Sequence, residues 1–267
     1  MARSGGWGWF GKVLAAALGV IAVAVLTAFW NGQFGSGSGE GQPAQAGKSS
    51  PPAKAPAQPQ GGRKAAPVSA DIAHASDGGA RSVNITIDDG PDPTWTPQML
   101  QVLRDNGVKA TFCMIGPQAR AHPDLVKAVV AAGHRLCDHT VSHDVTMDGK
   151  PEAYQAQQIL DAERMITEAS GGVRPLYYRA PGGAFTPYSR HLAASHGMRP
   201  LGWNIDSKDF ERAGTNAIVA TVKNEISNGP TLLFHDGGGD RSQTVAALRE
   251  ILPWLKQQGH TFGFPVR

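Results

Sequence analysis

The chain is poor in several things at once. Two cysteines among 267 residues exclude a disulfide-rich scaffold and a four-cysteine zinc site. Charged residues make up only 18%, and the small excess of cations sits at one end. Six of the 25 Lys and Arg and three of the 22 Asp and Glu fall in residues 1–80, which leaves 19 of each sign for residues 81–267. A neutral domain lacks the basic footprint of a general nucleic-acid binder, so no nucleic-acid partner is expected. No Lys-Ser or Lys-Thr pair follows the glycines Gly237, Gly238 and Gly239, so they shape a rim and do not cradle a nucleotide phosphate. Apolar material is not scarce. Hydrophobic residues reach 41%, enough for a sizeable core, and wholesale disorder is excluded.

The 33 glycines and 19 prolines cluster, and with them the chain divides. Residues 1–12 are a basic N-terminus carrying Arg3 and Lys12. Val13 to Trp30 is an uncharged, almost wholly apolar run of 18 residues. As a helix it spans roughly 27 Å, close to a bilayer's hydrocarbon thickness. Trp7, Trp9 and Phe10 before it, and Phe29 and Trp30 at its end, suit the two interfaces. An uncleaved single-pass anchor in the cell membrane is favoured over a cleaved signal peptide, because small-residue cleavage sites lie inside the run or far beyond it. Cleavage would make the protein secreted; either way the rest of the chain is expected to be exported. Residues 31–79 are rich in Gly, Ser, Pro, Ala and Gln without apolar periodicity, and read as a disordered linker. A flexible coil of about 49 residues has an r.m.s. span of roughly 35–40 Å, which makes it a tether.

Residues 80–267 alternate strand and helix signals. Strands are expected at Val83–Ile87, Ala110–Ile115, Arg135–Cys137, Leu176–Tyr178, Leu201–Ile205, Thr231–Phe234 and Thr261–Val266. Thr96 is a candidate N-cap with Pro97 at the first helical position, and Gly107 closes that helix. Seven strands separated by helices describe a parallel α/β barrel or a doubly wound sheet.

The reactive residues fall at strand ends. Asp88, Asp89 and Gly90 end the first strand, His139 ends the third with His143 just after, and Arg179 ends the fourth. Asp206 and Asp209 follow the fifth, and His235 ends the sixth. The carboxyl ends of parallel strands share one face, where α/β barrels keep their active sites. On a helical turn, His139 and His143 would face one way; with a carboxylate they make an open site for Zn²⁺ or another divalent metal. Two adjacent acids suggest two jobs, one on the metal and one as a base.

These residues resemble the polysaccharide deacetylases, carbohydrate esterase family four. Thr86-Ile87-Asp88-Asp89-Gly90-Pro91-Asp92 is similar to the family's first motif, and His139 to His143 to its second. Arg179-Ala180-Pro181-Gly182-Gly183 resembles the third, Asp206-Ser207-Lys208-Asp209-Phe210 the fourth, and Leu233-Phe234-His235 the fifth. The five occur in family order. The resemblance implies a distorted (β/α)7 barrel and metal-dependent removal of acetyl groups from acetylated sugars. It further implies Asp89, His139 and His143 as metal ligands with Zn²⁺ or another divalent ion such as Co²⁺. Asp88 is implied as general base, Arg179 as its orienting group, and Gly182 as the oxyanion donor. His235 is implied as general acid, held by Asp209, with Asp206 the second choice. Three departures stand out: Ile87 for Phe, Phe210 for Trp, and Asp138 for Asn. None removes a reactive group.

Anchor and tether favour peptidoglycan amino sugars as the substrate of a monomeric enzyme; chitooligosaccharides and acetylated xylan are the alternatives. A non-catalytic glycan-binding module is disfavoured by the intact reactive set, and a phosphoesterase by the lack of ligands for a second metal. Cys113 and Cys137 are expected on neighbouring strands, with a disulfide favoured over two buried thiols. Asn84-Ile85-Thr86 fits a glycosylation pattern but sits in a strand and is read as accidental. His122, His134, His191, His196 and His260 are expected at the surface. Trp203, Tyr177 and Tyr178 are read as mostly core, with one of them free to line a sugar groove.

Overall fold

The computed structural model describes residues 66–267. The expected basic N-terminus, the membrane segment 13–30 and the tether as far as residue 65 lie outside the described residues. Among the described residues, no helix is long and apolar enough to cross a membrane.

A parallel sheet forms the centre. β1 (Ser82–Asp88) is buried along its whole length, as expected of a strand covered on both faces. β2 (Ala110–Met114), β3 (Arg135–Asp138), β4 (Tyr177–Tyr178), β5 (Arg199–Pro200), β6 (Ile205–Asp206), β7 (Thr231–His235) and β8 (Thr261–Gly263) complete it. The order is β5-β4-β3-β2-β1-β7-β6, with β8 also on β1. Parallel strands need crossovers. These are α1 (Thr96–Asp105), α2 (Gly116–Ala121), α3 (Pro123–Ala131), α4 (Glu152–Ala169), α5 (Pro187–Ser195), α6 (Thr215–Glu225) and α7 (Ser242–Gln257). The arrangement is a curled, incomplete barrel. Its main core joins Ile85, Ile87, Phe112, Leu136 and Phe234 of the strands to Leu103, Val126, Val222 and Leu248 of the helices. Each such side chain contributes about 1.5–3 kcal/mol by leaving water.

Of the run expected as one strand from Leu201 to Ile205, only Ile205 lies in a strand, β6; β5 ends at Pro200, and Leu201 makes an isolated bridge to Ala73. β5 pairs with β4 and β6 with β7, and no ladder joins β5 to β6. The segment preceding β1 lies against this seam. Residues 66–79, expected to belong to the disordered linker, lie along the domain. Ala73 is 2% exposed, its N–H donates to the carbonyl of Pro200 (2.8 Å), and its carbonyl accepts from Gly202 (3.0 Å). Thr231 donates to the carbonyl of His74 (2.7 Å), and Val266 to that of Ala75 (3.1 Å). This arm meets the backbone groups that the seam leaves without a strand partner. Residues 66–79 therefore belong with the folded domain and not with the expected linker.

Smaller expectations sort in the same way. Thr96 is not the cap of α1 but its first residue. Its hydroxyl accepts the Asp92 N–H (2.8 Å) and donates to Asp236 (2.5 Å). Gly107 does close α1, at φ +60°, where a side chain is disfavoured. Cys113 and Cys137 face each other across β2 and β3 and are bonded. Asn84 is fully buried and donates to Thr231, which rules it out as a glycan acceptor in the folded chain. His134 is buried, not superficial. Its Nδ1 accepts the Ala110 N–H (3.0 Å), and burial, helped by the Lys109 charge, holds its pKa down at about 4.

A chain beginning at Arg81 should melt at least about 5 °C below one beginning at Ala66, since each lost backbone bond is worth about 1 kcal/mol before ordering entropy is subtracted. Calorimetric melting of both chains checks this. Equal melting temperatures would show that the arm adds nothing to the domain.

Candidate active site

Five strand ends deliver their polar side chains to one pocket of about 380 Å³. Asp88, Asp89, His139, His143, Arg179, Gly182, Asp206 and His235 all line it. Asp209 does not; it stands behind His235. Val145, Trp203, Phe210 and Leu233 provide apolar wall.

One side of the pocket is a convergence of metal-ligand atoms. Asp89, His139 and His143 each offer an atom within 4.8 Å of the others. The Nε2 atoms of His139 and His143 lie 3.5 and 3.3 Å from Asp89 Oδ1. That oxygen is buried and accepts no hydrogen bond. The Nδ1 of His139 lies 2.8 Å from the Arg179 carbonyl, which can only accept, so the proton belongs on Nδ1 and the Nε2 lone pair faces Asp89. Burial, the largest influence, drives the His139 pKa down to about 3; Asp89 and the hydrogen bond to the Arg179 carbonyl oppose it, while the charges of His143 and Arg179 reinforce it. An uncharged imidazole beside an unpartnered carboxylate oxygen is the state a divalent cation requires. The residues fit a catalytic metal site with open positions.

The route to that convergence differs from the expected helical turn. Residues 139–144 form no helix. Thr140 and His143 adopt positive φ (69° and 51°), as does Asp89 (76°). Such conformations cost about 1–3 kcal/mol each and persist only where the surroundings over-determine them. Here Asp138 Oδ1 accepts the Thr140 N–H (2.8 Å), and Gln158 Oε1 accepts those of Val141 and Ser142 (3.2 and 2.8 Å). Side chains replace the helical ladder. Asp138 is fully buried, and burial outweighs that hydrogen bond in raising its pKa.

Asp88 points to the other partner. Arg179 Nη1 donates to Asp88 Oδ1 (2.7 Å) and to Thr86 (3.0 Å), while Nε and Nη2 donate to the carbonyls of Leu201 and Gly202 (3.1 and 2.9 Å). Asp88 Oδ2 is thereby left facing His139 Nε2 at 3.5 Å. Burial raises the Asp88 pKa against the lowering pull of Arg179 and His235.

Across the pocket, His235 Nδ1 bonds to Asp209 Oδ1 (2.7 Å), and its backbone N–H donates to Oδ2 (2.9 Å). Thr244 adds a third bond to Asp209 (2.9 Å). Burial works against charge on His235, but the hydrogen bond and charge of Asp209, with Asp88 and Asp89, outweigh it and push the pKa up to about 9. Asp206 is not the partner. It binds Lys208 Nζ (3.0 Å) instead.

Besides Val145 in the wall, four polar residues of the site were not assigned a role from the sequence. Thr86 is two positions before Asp88 and so on the same strand face, a signal that was there to be used. Gln158 and Thr244 come from α4 and α7, with no local mark. Asp236 follows His235 and is fully buried; the cluster of Asp88, Asp89 and Asp92 adds to burial in raising its pKa to about 7. Its Oδ1 lies where a Cβ on Gly90 would come within 2.2 Å, which is why Gly90 tolerates no side chain.

Three comparisons extend the geometry. The polysaccharide deacetylase family model matches residues 75–201. A peptidoglycan-N-acetylglucosamine deacetylase of Bacillus cereus is 40% identical over 182 residues, covering 67% of this chain and 84% of the relative. A chitooligosaccharide deacetylase of Sinorhizobium fredii is 36% identical over 192 residues, covering 68% and 88%. Among solved structures, a family 4 carbohydrate esterase from Streptomyces lividans in complex with acetate superposes with a TM-score of 0.61 at 32% identity, over 71% of this chain and 93% of that one.

Titration with Zn²⁺ or Co²⁺ should load about one ion per chain, and His139→Ala should weaken uptake by roughly a hundredfold or more. Unchanged metal content in that variant would overturn the ligand set. In the metal-free chain, NMR should find His235 titrating near pH 9. Asp209→Asn should bring it down towards the ordinary value of about 6.5. The sign is fixed by linkage: with the folded pKa above the unfolded one, the stability from the His235–Asp209 pair is present in full below about pH 6.5 and is lost as pH rises through about 9.

Proposed function

The chain belongs to the polysaccharide deacetylase family and is a deacetylase, and on that premise we propose that it hydrolyses N-acetyl groups of peptidoglycan amino sugars, releasing acetate and leaving free amines. The observation that carries the reading is the division of the pocket: Asp89, His139 and His143 on one side, the Asp209-held imidazole of His235 on the other, and Asp88 between them. Chitooligosaccharides are the second reading, supported by the rhizobial relative.

A bound Zn²⁺, or another divalent ion such as Co²⁺, supplies the Lewis acidity that polarises a carbonyl and lowers the pKa of water to about 7. The chain's own residues do the rest. Asp88 receives the proton of the attacking water at Oδ2, because Oδ1 is committed to Arg179. The N–H of Gly182 stabilises the developing oxyanion; donors of this kind are worth about 3–4 kcal/mol. An amide nitrogen leaves poorly unless protonated. His235 carries that proton on Nε2, since Nδ1 is bonded to Asp209, and a pKa of about 9 keeps it charged at neutral pH. Val145, Trp203, Phe210 and Leu233 give the acetyl methyl an apolar wall. We further assign residues 13–30 as a single-pass membrane anchor and the stretch after them as a tether, supported by the apolar run and the Gly/Pro-rich composition; such an anchor puts a monomeric catalytic domain beside the cell wall.

Acetate release from peptidoglycan, N-acetylglucosamine oligomers and acetylated xylan tests the function, with peptidoglycan expected to be the best substrate. No acetate from either amide polymer would overturn it. Asp88→Asn should keep the metal yet lose roughly 10²–10⁴-fold in turnover, whereas Asp89→Asn should lose the metal as well. Equal metal loss in both would refute the split between base and ligand. His235→Ala should cut turnover on acetamides more than on activated acetyl esters, whose leaving groups need no proton.

A further inference from the structure

A pocket of about 380 Å³ lies near the lower end of small-molecule sites, which run from about 300 to 1,000 Å³. It has room for one amino sugar and its acetyl group, so the neighbouring units of a polymer must rest elsewhere. A second hollow of about 200 Å³ adjoins it at Trp203, which lines both. The consecutive residues Gly182 and Gly183 line one each. We propose that this second hollow, walled by Ile72, His74, Phe185 and Trp203, is a subsite for the sugar unit adjoining the one that is deacetylated; the proposal rests on the function given above.

The chemistry of the walls suits a pyranose. Sugar rings carry C–H groups on their faces and hydroxyls at their rims, and the faces of aromatic rings complement the former. Ile72, Phe185 and Trp203 are apolar, and His74 is the single titratable group among the lining side chains. His74 Nδ1 lies 3.2 Å from the Trp203 carbonyl, which leaves Nε2 to meet a hydroxyl or an acetamido oxygen. The hollow is also built before any ligand arrives. A Cβ on Gly202 would come within 2.3 Å of His74 Cε1 and 2.8 Å of Ile72 Cγ2. Gly183 holds φ +75°, with the Trp203 ring edge 3.3 Å from where its Cβ would be. Phe185 is set edge-on against Tyr178, 5.7 Å between centroids. Fixed walls reduce the ordering cost of binding. Two of the four come from the arm ahead of β1, so the recognition of the neighbouring unit is written outside the strand and helix repeat.

The test is a KM series on N-acetylglucosamine oligomers of one to four sugars, using the full chain loaded with Zn²⁺. For the natural protein KM should fall with length, by about tenfold or more from monomer to tetramer. His74→Ala and Phe185→Ala should flatten that fall through KM and not kcat, while Phe185→Tyr, which keeps the ring, restores it. Because Phe185 also packs on Tyr178, the exposed His74 must agree with it: if either alanine variant keeps the natural length dependence, the subsite is refuted. A natural chain that releases acetate with a KM indifferent to length overturns the subsite alone. Failure to release acetate from any oligomer and from peptidoglycan overturns the function beneath it.

Discussion

The site depends on one buried guanidinium. Arg179 is fully enclosed, and its nitrogens reach Asp88 and Thr86 on β1 and the carbonyls of Leu201 and Gly202 beyond β5, while its own carbonyl fixes the tautomer of His139. A single residue thus positions Asp88, the proposed base, His139, a proposed metal ligand, and the chain leading to Trp203. Burying that charge is costly, and only complete satisfaction of its donors makes it tolerable. Loss of Asp88 would leave the buried cation unpaired, so substitution there is expected to cost stability as well as any proposed catalytic role.

The two histidine environments illustrate how one pocket serves opposite needs. His139 and His235 are both largely buried, and burial alone would keep both neutral. What separates them is the partner on Nδ1: a backbone carbonyl for His139, a carboxylate for His235. The first leaves a neutral donor for a cation, the second a persistent imidazolium. Sequence neighbours can diverge likewise. Asp88 ends an extended strand, and Asp89 at φ 76° turns away from it, so adjacent carboxylates face different tasks.

Strand ends were legible in the sequence because parallel strands buried on both faces read as apolar runs, and polar residues at their carboxyl ends stand out. The convergence of Asp88, His139, Arg179 and His235 on one pocket is visible for that reason. Less visible was anything contributed through tertiary contact. Thr244 and Gln158 orient the site from helices far away in sequence, and nothing in their neighbours marks them. The arm was misjudged because composition reports what a segment can bury alone; Ala73 is held by backbone hydrogen bonds to β5 and its extension, which side-chain identity does not announce. The 139–143 bend was misjudged because a four-residue spacing is shared by a helix and by a loop braced by Gln158.

The seam between β5 and β6 has a consequence for association. A closed barrel has no edge, whereas this one has two, each a template on which a foreign strand could pair. Both edges are only two residues long, and the arm at Ala73 occupies the backbone groups of Pro200 and Gly202. The segment that completes the fold therefore also guards the β5 edge: while it is seated, the Pro200 carbonyl and the Gly202 N–H are taken, and a foreign strand has nothing to pair with there.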